Sequence, residues 1–404
     1  MTFSRHLSVS SEGPPWSAVS SLANPRSAMH ERLPRRLQPF LTWLTAQPAP
    51  GEWLNERSPL RFVAVAILQT VLGATLTVAA LQAWPPFAAA GMLLTTAGLG
   101  LLQAVVFHHC SHGTVFSTRA TNVWVGRLVS AVLLFKHFDR YKQEHMLHHS
   151  NNKLLTEEDE FVDFIFNTCQ LEAGVAVSVL RRRVMLSLVS PLFHARFLAR
   201  RIKAAWGSHD RRHNLVGMAV WVAFAFLALV TKQWLTFLLA WVMPVTVLLQ
   251  AATVGRVLCE HSFPEAEVIA ARGRDLSCHA TGGVFPGVMP PTARASSAQG
   301  ALAWLGWWAN MLVVQIFVRT VVLVGDMPCH DFHHRKPASR RWTSYIQARQ
   351  HDKEAGSAVF NVGYNETWGL FRAMNATLAS LSRLPPGTPL GLPQADLKRL
   401  RWRI

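Results

Sequence analysis

Four stretches of the chain contain no Asp, Glu, Lys or Arg: Phe62–Ala83, Phe87–Phe107, Asn214–Thr231 and Trp234–Val254. Each is close to the ~20 residues a helix needs to cross a hydrocarbon core. They form two pairs, the first turning at Trp84-Pro85-Pro86 and the second at Lys232-Gln233. A helix of that length with no charged face needs either lipid or complete burial around it. The 404 residues would otherwise accommodate two or three soluble domains. Composition agrees with lipid: 16% of residues are charged, against roughly 25% in soluble domains. Extended disorder, a small disulfide scaffold and a collagen-like fibre are excluded on the same grounds.

The net charge of +17, from 40 Lys+Arg against 23 Asp+Glu, suits an anionic membrane surface. If both hairpins enter from one side, Lys232 is the single basic residue in a far-side turn. The other 39 of the 40 then share the near side with both termini. The positive-inside rule makes that side cytoplasmic. The expected fold is an all-α integral membrane protein with four transmembrane helices in two hairpins and a cytoplasmic histidine-rich cap. A basic, loosely ordered leader is expected over residues 1–60, without the apolar core of a signal peptide. The membrane unit is expected over 61–345 and a cytoplasmic region over 346–404. Asn122–Phe135 and Gly174–Leu198 read as interfacial helices because charges interrupt them. Five cysteines with no CxxC spacing point to a reducing compartment. High Ala, Arg and Trp content favours a bacterial inner membrane over an endoplasmic reticulum.

The 18 histidines are not scattered. His108-His109-Cys110-Ser111-His112 follows the second span, and Glu144-His145-Met146-Leu147-His148-His149 lies between the hairpins. Cys259-Glu260-His261 follows the fourth span, and Cys329-His330-Asp331-Phe332-His333-His334 comes last. Residues three and four apart share a helix face, so HxxxH and HxxHH present imidazoles together. Neutral imidazole is a ligand for Zn, Fe, Cu and Ni. Nine such rings (His108, His112, His145, His148, His149, His261, His330, His333 and His334) suit two ions, each with four or five nitrogens. For the last box to join the others, the apolar stretch Leu302–Val324 must lie in-plane or re-enter rather than cross. Candidates for orienting the rings from outside are His109, Glu144, Glu260 and Asp331. His137 reads as another outer partner. The run Glu157-Glu158-Asp159-Glu160 reads as a solvated face, and His194, His209, His213, His279 and His351 as surface or interfacial residues.

These boxes resemble those of the membrane fatty acid desaturase superfamily, which also includes membrane hydroxylases and carotenoid ketolases. His108-His109-Cys110-Ser111-His112-Gly113 is similar to its H-[DE]-C-G-H-G box, with His109 where an acidic residue often sits. His145, His148 and His149 match the second box, and His330, His333 and His334 the third. Glu260-His261 is similar to the segment after the fourth span. The resemblance implies a non-haem di-iron centre bound by these histidines, activating O2 against an unactivated C–H bond of an acyl or other lipid chain. Val257 departs from the pattern: some animal acyl-CoA desaturases carry Asn at that place.

Desaturation is the expected reaction. Hydroxylation or ketolation within the same superfamily is the alternative, since ligand spacing does not separate them. A metal transporter or scaffold is a different class of reading. A transporter would place ionisable ligands within the spans, and these four stretches contain no His, Asp or Glu. The chain has neither a dinucleotide fingerprint nor a His-Pro-Gly-Gly signature. An external electron donor, a ferredoxin or cytochrome b5-like protein, is therefore expected. No nucleic-acid partner is expected.

Overall fold

The structure is a computed structural model that describes residues 24–293, 296–357, 359–388 and 390. Its helices begin with α1 (Pro25–Arg32) and α2 (Gln38–Thr45), then the long α3 (Pro59–Ala83) and α4 (Pro85–His112). Next come α5 (Arg119–Leu133), α6 (Phe138–His148) and the single turn α7 (Glu160–Asp163). A helical pair, α8 (Val177–Val189) and α9 (Pro191–Trp206), precedes α10 (Arg211–Val230) and α11 (Trp234–Glu260). The remainder holds α12 (Ala298–Val322), α13 (His330–Arg335), α14 (Tyr345–Glu354) and α15 (Leu370–Arg383). The fold is not wholly helical. Strands β1 (Gly283–Phe285) and β2 (Glu366–Trp368) pair in parallel, with Val284 opposite Thr367.

Helices α3 and α4 show how apolar helices associate without a hydrophobic drive. A Cβ on Gly73 would lie 2.3 Å from the Thr95 nitrogen, and one on Gly98 2.4 Å from Thr70 Oγ1. One on Gly91 would lie 2.5 Å from Thr77 Oγ1. Small residues thus let the backbones touch. The threonines stay satisfied by donating to the carbonyl four residues back, as Thr70 does to Ala66 at 2.8 Å. The outward faces are apolar, with Leu68 and Val71 on α3 and Val222, Phe226 and Leu229 on α10 exposed. Such faces suit lipid.

Among the described residues five helices are long and apolar enough to cross a membrane: α3, α4, α10, α11 and α12. The fifth covers the stretch expected to lie in-plane. Residues 287–293 run beside it without helical structure. The Gly287 N–H donates to Gln315, while Trp307 and Trp304 donate to the carbonyls of Val288 and Ala293. Its single charge, Arg319, is buried and donates to the carbonyls of Trp43, Leu323 and Gly325.

Two expected boundaries do not appear. Residues 25–45, assigned to the loose leader, are folded. The Arg26 guanidinium is buried and reaches Gln38, Thr42 and the Gln47 carbonyl. Met29, Leu41 and Leu44 pack against Trp307 and Met311 of α12. The rest of the expected leader, residues 1–23, lies outside the described residues. Beyond residue 345, α15 is part of the core: Met374, Leu378 and Leu381 pack with Val254 and Leu258 of α11. On α8, Val179, Met185, Leu186 and Val189 are exposed beside Arg181 and Arg182, as an interfacial helix requires.

Candidate metal centre

Two long helices end at the site. In α4 a π-helical segment, Leu102–Phe107, immediately precedes His108 and re-aims the last turn. Helix α11 ends at Glu260, and His261 leaves it in an extended conformation. The short helices α6 and α13 supply the two HxxHH boxes.

The nine predicted histidines come together in two groups. One holds His108, His112, His145, His149 and His333; the other holds His148, His261, His330 and His334. Within each group the ligand nitrogens lie within 4.8 Å of one another. Helical spacing explains the partition. In each HxxHH box the first and last residues, four apart, point to one group, and the middle histidine points to the other. His145 and His149 serve the five-histidine group while His148 serves the four. His330 and His334 serve the four while His333 serves the five.

The closest approaches are all between Nε2 atoms. In the larger group they are His108–His333 at 2.8 Å, His112–His145 and His149–His333 at 3.0 Å, and His145–His149 at 3.1 Å. In the smaller they are His148–His261 at 3.1 Å, and His261–His330 and His330–His334 at 3.2 Å. Metal–imidazole bonds of ~2.1 Å place adjacent nitrogens of an octahedral shell ~3.0 Å apart. Converging lone pairs at that spacing are what a cation would satisfy. Burial, reinforced by neighbouring imidazoles, holds His145, His149, His261, His330, His333 and His334 well below the usual imidazole range. Neutral rings are the form that binds metal. Burial also lowers His148, but the Asp159 charge and hydrogen bond outweigh it and carry the ring above the usual range.

The outer partners are not those expected. The His148 Nδ1–H donates to Asp159 Oδ1 at 2.6 Å, and His145 Nδ1–H to Glu160 Oε1 at 2.8 Å. Both carboxylates belong to the acidic run read as solvated. Asp159 is fully buried, and it caps α7 by accepting from the Phe161 N–H while its other oxygen accepts from Leu155. Glu144 instead pairs with Lys136 and Arg140, Glu260 with Arg256, and Asp331 with Arg349. His109 stays outside both groups, its Nε2 2.9 Å from Asp326 Oδ2. His137 stacks edge-on with His213 at 4.5 Å rather than against the groups. His194 and His213, read from the sequence as surface or interfacial, are buried. Tyr141 was not singled out from the sequence. Its ring stacks on His145, and its hydroxyl lies 3.4 Å from His108 Nδ1. Its place four residues before His145 is the signal that pointed to it. The cysteines beside the boxes are free and buried, and none joins a group.

The sequence profile of the fatty acid desaturase family matches residues 82–294. The chain belongs to that family. No curated protein matches it. In the fatty acid desaturase frame, box one, box two and His261 fall inside the matched region, whereas His330, His333 and His334 lie beyond it. The fold brings this third box to the other two. The family uses non-haem iron, and both groups consist of nitrogen donors that suit it.

Proposed function

We propose that the chain is an O2-dependent membrane oxidoreductase that desaturates an unactivated C–H pair of a fatty-acyl or related lipid chain. The observation that carries this reading is the convergence of nine Nε2 atoms into two groups with edges of 2.8–3.2 Å. Two irons would be held, one by His108, His112, His145, His149 and His333, the other by His148, His261, His330 and His334. When bound, the iron pair supplies redox capacity for O2 that the side chains lack. The chain's own residues set the conditions. Asp159 and Glu160 hold His148 and His145 with the Nδ1 proton outward, leaving Nε2 free. Burial of most of the rings keeps water and stray reductant from the centre.

Four crossings, α3, α4, α10 and α11, fit this reading. A fifth crossing by α12 would put His330, His333 and His334 on the opposite side from the other boxes, so we read α12 as in-plane or re-entrant. With both hairpins entering from the basic side, the centre and both termini face the cytoplasm. A bacterial inner membrane and an external one-electron donor complete the proposal.

The test compares lipid extracts from cells expressing the chain with a ferredoxin system and cells expressing its His148→Ala variant. A product two hydrogens lighter, absent in the variant, supports desaturation. A product one oxygen heavier moves the assignment to hydroxylation. With substrate and donor supplied, identical extracts contradict the enzymatic reading.

A further inference from the structure

The desaturase reading requires electrons, and the cap contains a route by which they would arrive. Trp342 is 2% exposed. Its indole lies on the His109 ring, with centroids 4.0 Å apart and planes within 10°. His109 in turn lies 4.9 Å from His108 and 5.4 Å from His333, both in the five-histidine group. Asp326 holds His109 in this position. The stack is continuous from the cap to the candidate metal centre, and the proposed chemistry gives neither aromatic ring another task.

The surface above the stack is basic. Trp342 sits in the turn Arg340–Ser344, whose Arg340 and Arg341 are exposed. Phe62 packs on Trp342 at 5.1 Å. Among the described residues neither arginine forms a salt bridge, although Arg341 shares a hydrogen bond with His351. The neighbouring lysines differ: Lys336 pairs with Asp352, and Lys353 with Glu366. The arginines of α8 stand among exposed apolar side chains, as lipid contacts do, with no such stack beneath them.

We propose that Arg340 and Arg341 form the docking face for an acidic one-electron carrier protein, and that Trp342 and His109 conduct its electrons to the five-histidine group. This rests on the di-iron reading above. Each docking transfers one electron. Two carrier molecules leave oxidised, and two ferric ions become ferrous, with no bond broken in the chain. Unpaired arginines give such a face its rate and its salt sensitivity.

The experiment uses the full chain in nanodiscs, with reduced plant-type [2Fe–2S] ferredoxin as the probe. The Arg340→Glu/Arg341→Glu variant should weaken ferredoxin binding by about tenfold or more, in metal-free and iron-loaded protein alike. The Trp342→Leu variant should bind ferredoxin normally but reoxidise it about tenfold more slowly, and Trp342→Phe should restore much of the rate. Reduction of the iron by dithionite should be unchanged in all three. Failure of dithionite reduction in the wild type would count against the di-iron reading itself. Unaltered ferredoxin binding by the charge-reversal variant would overturn the docking face. So would a binding defect seen only with anionic vesicles, which would assign the arginines to headgroups. Equal transfer rates in wild type and Trp342→Leu would overturn the route.

Discussion

The two histidine groups are built from the same boxes but not to the same standard of enclosure. The five-histidine group includes two partly exposed rings, His112 and His149, and is flanked by Tyr141 and the partly exposed Glu160. All four rings of the smaller group are buried, and its outer carboxylate, Asp159, is fully buried too. Among the described residues, the Nδ1 atoms of its other members, His261, His330 and His334, have no partner, as is also true of His149 in the larger group. The larger group therefore has ligands to spare and access to solvent. The smaller one depends on each ring and on a single carboxylate. Redundancy and burial, rather than the identity of the ligands, separate the two.

That difference is open to direct attack, and the largest effect should come from the ligands themselves. His261→Ala leaves three nitrogens in the smaller group, and we expect it to lose one metal per chain and product formation. His112→Ala leaves four nitrogens in the larger group, and both metals should remain. Metal analysis of the two purified variants checks this, and equal losses would erase the distinction. Asp159→Ala should come next. Losing an outer carboxylate commonly costs ~10–100-fold in metal affinity or activity. This one also caps α7, so the upper part of that range is expected, read by chelator competition. Glu160→Gln should cost less, about tenfold or below, because Lys136 also binds that carboxylate and its side chain is 21% exposed. Tyr141→Phe should be smallest, a few-fold change in turnover, since its hydroxyl contact is long at 3.4 Å. If Tyr141→Phe exceeds Asp159→Ala, the ranking by burial is wrong.

Although which rings share a group emerged only from the fold, the sequence made the nine histidines legible as one set of candidates, because a helix converts spacings of three and four into faces. It misdirected the search for their outer partners for the same reason. Glu144, Glu260 and Asp331 adjoin box histidines in sequence, but neighbours on a helix point ~100° apart. A residue next to a ligand therefore faces elsewhere, and each of these finds an Arg or Lys instead. Asp159 and Glu160 reach the rings from a separate turn, and four consecutive acids look solvated until the chain's path is known. The leader failed similarly. Polar Arg26, Gln38 and Thr42 resemble loose composition, yet they satisfy one another in a buried network across 16 residues of sequence. The spans were legible at their ends, but α12 has the length and apolarity of a crossing, and hydropathy alone does not separate a crossing helix from a re-entrant one.

The measurement that bears most directly on the central claim is the metal content of the purified full chain beside His261→Ala, by elemental analysis for iron and zinc. Two irons per chain in the wild type and one in the variant are predicted. One metal or none in the wild type, zinc in place of iron, or two irons retained in His261→Ala would contradict a di-iron centre built from these two groups.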